Sequence, residues 1–316
     1  MELLHHYSTC SCVRFAPDNV RHKCWTTDVP RLALAHGFLL HQILAVAALH
    51  CYVQDPNGSR HLAGIATSHR ALALELVKPA LQSDDSEVGI ALFAFAGLTA
   101  IYAFGELAIH LKDDEDDQHT INHLIACFRL TRGISTLVQA HQGSINGSWA
   151  EAMINLDADE ALQRLRKTGL RFDQARILNE KIEEQEQLNE SEDKTAYLHA
   201  ATRCLENIQL LLSQRLQGET TNDDFYHLIM SWPNDISDQV MQAIEAREPL
   251  ALVIIAHFAV LMSMHTRQWW LNLWPERVLA DVGAQVGPQW TGYLEWPWQM
   301  LARSRENGHS FSEIRP

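Results

Sequence analysis

VGIALFAFAGLTAIYAF, residues 88–104, is a stretch of 17 residues without a charged side chain. The preceding residues, Ser83–Glu87, carry hydroxyl and carboxylate oxygens, which accept hydrogen bonds from the first backbone amides of a helix. A second apolar stretch, Ala251–Met264, contains one histidine, His257. Both stretches are shorter than the roughly 20 residues that a membrane-spanning helix needs. We therefore predict two buried core helices and no membrane span.

The remainder of the chain also predicts helices. No alternation of strands and helices, glycine-rich phosphate loop or internal repeat occurs in the sequence. The predicted helices are Pro30–Cys51, with Asp28 as its cap, His61–Leu81, Val88–Leu111, Thr120–Gln139, Ala196–Gln217, Ser237–Arg247 and Pro249–Trp274. The sequence therefore predicts an all-α fold with a single domain over residues 1–316. A polar surface or mobile segment is predicted around residues 145–195.

The charge balance restricts the partners of the chain. With 25 basic and 39 acidic residues among 316, the formal net charge is −14. Such a surface repels the phosphate backbone of nucleic acids, so we expect no direct nucleic acid binding by this chain. The N-terminus has neither the basic nor the apolar region of a secretory signal, and the six cysteines lack metal-ligand spacing. We expect an intracellular protein, in the nucleus or cytoplasm, with buried free thiols.

Three blocks of the sequence resemble one protein family. The blocks include ELLHHYST at Glu2–Thr9, HGFLLH at His36–His41, ALFAF at Ala91–Phe95 and SWP at Ser231–Pro233. The other matching positions are Trp25, Val29-Pro30, Ala47–His50, Ala100–Phe104, Leu130–Ile134, Glu248–Ala251, Ala256–Leu261, Trp269-Trp270 and Trp296-Pro297. Together they resemble the C-terminal regulatory domain of fungal zinc-binuclear-cluster transcription factors, in the branch typified by the sterol uptake control protein.

The resemblance implies an all-helical bundle, usually a homodimer, that binds a sterol or another apolar ligand and controls transcription. Members of the family also carry an N-terminal zinc cluster of six cysteines within a basic segment. Here Met1 directly precedes the regulatory domain, and Cys10, Cys12 and Cys24 cannot form that cluster. We expect either a fragment of a longer factor or a natural protein without a DNA-binding segment.

Histidine and aromatic side chains within or near the resembling blocks are the candidate ligand contacts. His41 and His257 lie inside apolar helices, where an imidazole could bond the polar group of an apolar ligand. Aromatic side chains would form the walls of the pocket, although a packed C-terminal core is an alternative role for the late tryptophans. The predicted ligand pocket consists of His41, Tyr102, Phe104, His257, Phe258, Met262, His265 and Trp269.

An acidic string at residues 113–117 supports a different hypothesis. Its spacing matches the aspartate-rich motif of class I terpene cyclases, whose carboxylates hold Mg²⁺ ions bound to a diphosphate. The metal ligands would be Asp113, Asp114 and Asp117, and the diphosphate contacts would be Arg129 and Arg132. The nearest candidate for the second metal motif, Asn234–Gln242, fails because its serine is one position early and a glutamine replaces the required glutamate. A solvated acidic loop is the simpler interpretation, since runs of like charge usually face solvent.

Two functions follow from the sequence. The first is a regulatory module that binds an apolar small molecule, sterol-like or isoprenoid-like, without a cofactor. The second is a fungal biosynthetic enzyme, an all-α isoprenoid cyclase or a related cyclase that would need Mg²⁺. The failure of the second metal motif favours the regulatory module.

Overall fold

The computed structural model describes residues 2–13, 15, 19–55, 57, 59–113, 120–153, 162–163, 165, 167, 173–184, 192–216, 227–265 and 268–306. All regular secondary structure within these ranges is helical, which confirms the all-α prediction. The chain divides into two compact units. Unit 1 comprises Met1–Asp116, Arg129–Leu156 and Arg267–Trp270, and unit 2 comprises Asp117–Phe128, Asp157–Thr266 and Leu271–Pro316. The single-domain organisation over residues 1–316 stays a prediction.

The α-helices are α1 (Glu2–His6), α2 (Asn19–Lys23), α3 (Val29–Ala33), α4 (Gly37–Gln54), α5 (Arg60–Val77), α6 (Ser86–Asp113), α7 (Thr120–Ala140), α8 (Gln142–Ile145), α9 (Asp173–Glu183), α10 (Glu192–Leu216), α11 (His227–Asp235), α12 (Asp238–Glu245), α13 (Pro249–Ser263), α14 (Trp274–Gln285) and α15 (Glu295–Glu306). Two π-helices, Tyr7–Ser11 and Cys24–Asp28, follow α1 and α2. Short 3₁₀ helices lie at Ala80–Gln82, Trp149–Met153 and Pro288–Leu294.

Helices α4, α5 and α6 form the centre of unit 1. α4 packs against both α5 and α6. It buries side chains around most of its circumference, and Leu39, Ile43 and Leu49 have no solvent exposure. A helix that is apolar on nearly every face belongs in a core, and truncation of one such leucine to alanine costs about 2–5 kcal/mol. By contrast, α5 buries only Ala66, Ala73 and Val77.

Helix α13 is the centre of unit 2. Every residue from Leu250 to Ser263 is buried, and α10, α12, α14 and α15 pack around the helix. Pro249 occupies its first turn, where the missing N–H of proline is not needed. The prediction that Ala251–Met264 lies in a core is therefore confirmed within this unit.

Oxygen atoms cap several helices. The Asp85 carboxylate accepts hydrogen bonds from the amides of Glu87 and Val88, as the acidic segment before α6 predicts. Ser237 caps α12 in the same way. The Asp281 carboxylate on α14 accepts a bond of 2.9 Å from the Ile121 amide at the start of α7, within unit 2. Each such cap satisfies amides that have no partner inside their own helix.

Several predicted boundaries are wrong. The predicted helix Pro30–Cys51 is interrupted, because His36 adopts an extended conformation and α4 begins only at Gly37. The predicted helix Pro249–Trp274 ends at Ser263, and a separate helix starts at Trp274, where Pro275 fits the first turn. Asp28 precedes α3 but does not cap it, because its carboxylate is bonded to the Lys23 ammonium group at 2.9 Å.

Among the residues that the structure describes, two helices are long and apolar enough to cross a membrane by length and composition. They are Gly37–Gln54 and a 25-residue window of α6, Ser86–His110. The window in α6 exceeds the 17 apolar residues of the sequence because Glu106 and His110 continue the helix. The structure buries 61% of the first window and 72% of the second inside the protein, as expected of core helices. A third combination, α12 with α13, qualifies only as a pair bent by 98°.

The polar segment predicted around residues 145–195 falls largely outside the described residues. Its described part includes the 3₁₀ helix Trp149–Met153 and α9. α9 is amphipathic, with Leu178 and Ile182 fully buried. Helix α9 therefore contributes to the core of unit 2 as well as to the surface.

Candidate functional site

The eight predicted pocket residues divide equally between the two units. Unit 1 contains His41, Tyr102, Phe104 and Trp269. Unit 2 contains His257, Phe258, Met262 and His265. Seven of the eight side chains are buried, and His41 is half-buried. A single pocket lined by all eight stays a prediction, and the surroundings of each group are described within its own unit.

In unit 1, His41 on α4 contacts His69 on α5. Their Nδ1 atoms are 2.8 Å apart and the rings are stacked with centroids 5.0 Å apart. Such a bond needs one nitrogen with a proton and one without, so at least one of the two Nδ1 atoms carries no proton. Burial lowers the pKa of His69, and the neighbouring His41 lowers it further.

The residue that follows each of these histidines, Gln42 or Arg70, is also polar and contacts α6. Gln42 is fully buried, and its Nε2 donates to the Leu98 carbonyl of α6 at 3.3 Å. The Arg70 guanidinium lies 4.5 Å above the ring of Tyr102, which is also fully buried. We call Gln42, Arg70 and Tyr102 the polar layer. Gln42 connects α4 to α6, and Arg70 connects α5 to α6.

Three atoms of the polar layer have no hydrogen-bond partner among the described residues. They are Oε1 of Gln42, an acceptor, Nη1 of Arg70, a donor, and the Tyr102 hydroxyl, and all three are inaccessible to solvent. Leaving such a group unpaired costs about 1–3 kcal/mol, and more where it is charged. Burial raises the pKa of Tyr102 to about 12; the Glu106 carboxylate adds to the rise, while Thr67 and Arg70 oppose it. Tyr102 is therefore a neutral phenol.

Phe104 and Trp269 lie in an aromatic cluster of unit 1. The Phe104 ring packs against Trp270 at 5.6 Å, and the Trp269 ring stacks on His50 at 4.8 Å. The Trp269 indole N–H donates to the Ser11 carbonyl at 3.3 Å. A Cβ atom at Gly105 would lie 2.8 Å from the Trp269 ring, so this indole fits only because position 105 is a glycine.

In unit 2, His257 is fully buried in the middle of α13. Its Nδ1 lies 2.8 Å from the Val253 carbonyl, which can only accept, so Nδ1 carries the proton. Its Nε2 then accepts from the Gln174 amide at 2.9 Å, and its ring stacks on Trp296. Burial lowers the pKa of His257 to about 4, so the ring is neutral at pH 7. A ligand that bonds this imidazole would have to displace Gln174.

Phe258 belongs to an aromatic triad in unit 2. Its ring stacks on Trp232 at 4.8 Å and meets Phe128 edge-on at 5.2 Å. The Trp232 indole N–H donates to the Ala200 carbonyl at 3.1 Å, which fixes the triad against α10. Met262, in the last turn of α13, and His265, two residues after its end, are also buried. These contacts describe a densely packed core around the predicted residues.

Two open clefts are also present, one in each unit. A cleft of about 390 Å³ in unit 1 is lined by residues including Lys23, Cys24 and Trp149. A cleft of about 480 Å³ in unit 2 lies between α14 and α15, beside Trp298. These volumes are in the range of small-molecule sites, but none of the eight predicted pocket residues lines either cleft.

A comparison with known protein families matches the N-terminal part of the chain. Residues 2–149 match the fungal specific transcription factor domain. This part of the chain is therefore similar to that domain, and the matched range includes α4, α5, α6 and the polar layer. This finding confirms the resemblance to fungal transcription factors over these residues. The assignment to the sterol-uptake branch stays a prediction.

Individual proteins to which the chain is similar are fungal transcription factors by name. A Zn(2)-C6 fungal-type transcription factor of Gibberella zeae is 25% identical over 326 residues, which cover 94% of this chain and 60% of the relative. The Zn(2)-C6 fungal-type transcription factor afumD of Aspergillus fumigatus is 36% identical over 59 residues, 18% of this chain and 16% of that protein. The chain thus spans about three fifths of the length of the first relative.

The structure describes only some of the residues on which the cyclase hypothesis depends. Asp114 and Asp117 lie outside the described residues, as does the side chain of Asp113 at the end of α6. Arg129 is exposed on α7, and Arg132 is half-buried on the same helix. No group of three or more metal-ligating side chains occurs within the described ranges. Both named relatives are transcription factors, so neither favours a cyclase.

Sequence reasoning missed the polar side chains that the structure places around the predicted residues. Arg70 lies over the Tyr102 ring, and Gln174 bonds His257. Gln42, next to His41 in sequence, bonds the Leu98 carbonyl. Gln42 could have been noticed as the only amide in the apolar stretch of α4 before Gln54. Gln174 lies in a segment whose polar composition indicated a surface, so its burial has no sequence signal.

Proposed function

We propose that this chain is a ligand-responsive regulatory module of a fungal zinc-cluster transcription factor, and that it binds a sterol-like or isoprenoid-like molecule in its helical interior. The observation that carries the proposal is the similarity to such a factor along 94% of the chain. The match of residues 2–149 to the fungal specific transcription factor domain supports the same role. The protein would act in the nucleus without contacting nucleic acid through this chain, since its net charge is −14.

The interior of unit 1 supports an apolar ligand. Trp269 and Trp270 place two large aromatic rings against α4 and α6, next to Phe104 and His50. Flat apolar molecules are held by such aromatic walls, because ring faces remove them from water without strict directional requirements. Gly105 leaves room for the Trp269 ring in its present position. Rotation of that indole would open space for a ligand beside α6.

A thermal unfolding experiment tests the proposal. The purified chain is heated alone, with a sterol, with an isoprenoid alcohol and with a prenyl diphosphate, each with and without Mg²⁺. A ligand present at about 100 times its dissociation constant stabilises the folded state by ~2.7 kcal/mol, which raises the melting temperature by a few degrees. We expect stabilisation by the sterol or the alcohol regardless of Mg²⁺. Stabilisation only by the diphosphate with Mg²⁺ would contradict the regulatory role and support a cyclase.

We further propose that the module is a homodimer that pairs through α5. Four apolar residues recur at helical spacing on one side of this helix: Leu62, Ile65, Leu72 and Leu76. The side chains of Leu72 and Leu76 are 43% and 39% exposed. Exposed leucines in a row are typical of contact surfaces. Light scattering should find a dimer that Leu72→Glu/Leu76→Glu converts to a monomer. Ile177→Glu, at an equally exposed position on α9, is the matched control, and a wild-type monomer would contradict the pairing.

A further inference from the structure

Two histidines on neighbouring helices of unit 1 bring their ring nitrogens together. The Nδ1 atoms of His41 on α4 and His69 on α5 are 2.8 Å apart, and the two helices pack against each other. Both side chains are half-buried, so the pair remains accessible to solvent. Imidazole is the commonest metal ligand among side chains, and the neutral ring binds transition metals through either nitrogen. The pair therefore presents two such ligands at one place.

The separation of the two nitrogen atoms indicates which ions fit. A metal–nitrogen bond is about 2.0–2.1 Å long, so two nitrogens at about 90° on a square-planar or tetragonal ion lie about 2.9 Å apart. In a tetrahedral site, bonds of the same length place the two nitrogens about 3.3 Å apart. The observed 2.8 Å matches the first geometry, which is typical of Ni²⁺ and Cu²⁺.

The two rings can bind an ion while both stay neutral. In the hydrogen-bonded pair, one Nδ1 carries a proton and the other does not. An ion between them needs the donor ring to carry its proton on Nε2, which is the other neutral tautomer of imidazole. No group of three or more metal-ligating side chains occurs in the part of the chain that the structure describes, so water would supply the remaining ligands.

A second histidine pair in unit 1 lacks this freedom. His6 Nε2 and His50 Nδ1 are 3.1 Å apart. The same His50 nitrogen also lies 3.1 Å from the Ser11 hydroxyl, and the His50 ring stacks on Trp269 and is only 5% exposed. An ion on this nitrogen would have to displace Ser11 and enter the aromatic cluster. The pair of His6 and His50 is therefore a natural control for the pair on α4 and α5.

We propose that His41 and His69 form a binding site for a divalent transition metal ion of the Ni²⁺ or Cu²⁺ type, which links α4 to α5. This role differs from the bond to an apolar ligand that the sequence predicts for His41, and it does not depend on the ligand of the proposed function. A bound ion should stabilise the folded chain, because the unfolded chain does not hold the two rings at this separation.

The test titrates Ni²⁺ into the chain, without a polyhistidine tag, by calorimetry. Ni²⁺ is the probe because Cu²⁺ oxidises thiols and the chain contains six free cysteines. We expect one Ni²⁺ ion to bind per chain, and His41→Gln and His69→Gln each to weaken its binding at least about tenfold, since one imidazole cannot chelate the ion. Glutamine can still hydrogen-bond the remaining ring, so both variants should melt at the temperature of the wild type when no ion is present.

His61→Gln and His6→Gln are the matched controls, because His61 is exposed on α5 and His6 belongs to the second pair. Neither should change the affinity for Ni²⁺. A wild type that binds Ni²⁺ no more tightly than His41→Gln and His69→Gln would overturn the inference and leave these two residues as a hydrogen-bonded pair. An equal loss of affinity in His6→Gln would overturn it as well. Stabilisation by a sterol is measured without Ni²⁺, so failure of the proposed function would appear separately.

Discussion

The middle of α13 and the polar layer treat buried polar groups in opposite ways. In α13, both ring nitrogens of His257 are bonded, one to the Val253 carbonyl and the other to the Gln174 amide. In the polar layer, three buried atoms have no partner among the described residues. A satisfied buried group stabilises a unique packing, whereas an unsatisfied one lowers stability unless something else completes it. Unsatisfied atoms also occur in unit 2, at the fully buried Asn207 on α10, so the difference separates two sites and not the two units.

The largest expected effect on stability concerns Phe258 in the core of unit 2. Phe258→Ala removes a ring that contacts both Trp232 and Phe128, and all three side chains are fully buried. The cavity should lower the free energy of unfolding by about 3–5 kcal/mol, measured by urea denaturation. A loss below about 1 kcal/mol would contradict the packing of this ring in the core of unit 2.

The pH dependence of stability tests whether His257 is a buried neutral group. The unfolded chain takes up a proton on this residue near pH 6.5, whereas the folded protein does so only near pH 4. Because the unfolded state binds more protons between these values, folding stability falls as the pH is lowered from about 7 to 4. His257 should account for roughly 3 kcal/mol of this loss.

His257→Leu should flatten the acid side of the stability curve relative to wild type. Substitution of the exposed His61 by glutamine is the control and should leave the curve unchanged. If His257→Leu and wild type lost stability in parallel between pH 6.5 and 4, the imidazole would not be the buried neutral group that the structure describes.

Two glycine substitutions in unit 1 test whether the Trp269 ring packs against α6. Gly105→Ala places a methyl group 2.8 Å from the Trp269 ring and should destabilise the protein by about 1–3 kcal/mol. Gly133→Ala on α7 meets no atom within 4 Å and should stabilise it by about 0.5–1 kcal/mol through the higher helix propensity of alanine. Opposite signs in thermal unfolding are the expected result. Equal effects would mean that Trp269 is not seated against α6.

The composition of α4, α6 and α13 made the fold predictable. Helices that are apolar on all faces must be buried, and the cap residues before α6 are visible in the sequence. The interruption at His36 directly precedes Gly37, a weak helix former that is a signal in the sequence. The end of α13 at Ser263 was not predictable, since no glycine or proline lies there, and tertiary packing decides it.

The candidate site was predicted only in part. Tyr102, Phe104 and Trp269 were identified because they lie in or beside apolar helices, and all three are buried. Arg70 and Gln174 were not, because a polar residue on an amphipathic helix gives no sign of whether its partner is water or another side chain. The pairing of His41 with His69 depends on the contact of α4 with α5, which no local pattern specifies.

The most direct measurement is the melting temperature of the purified chain with and without a sterol and an isoprenoid alcohol. If the chain is a ligand-responsive regulatory module, one of the two should raise the melting temperature by a few degrees regardless of Mg²⁺. No shift with either molecule, or a shift only with a prenyl diphosphate and Mg²⁺, would contradict the proposed function.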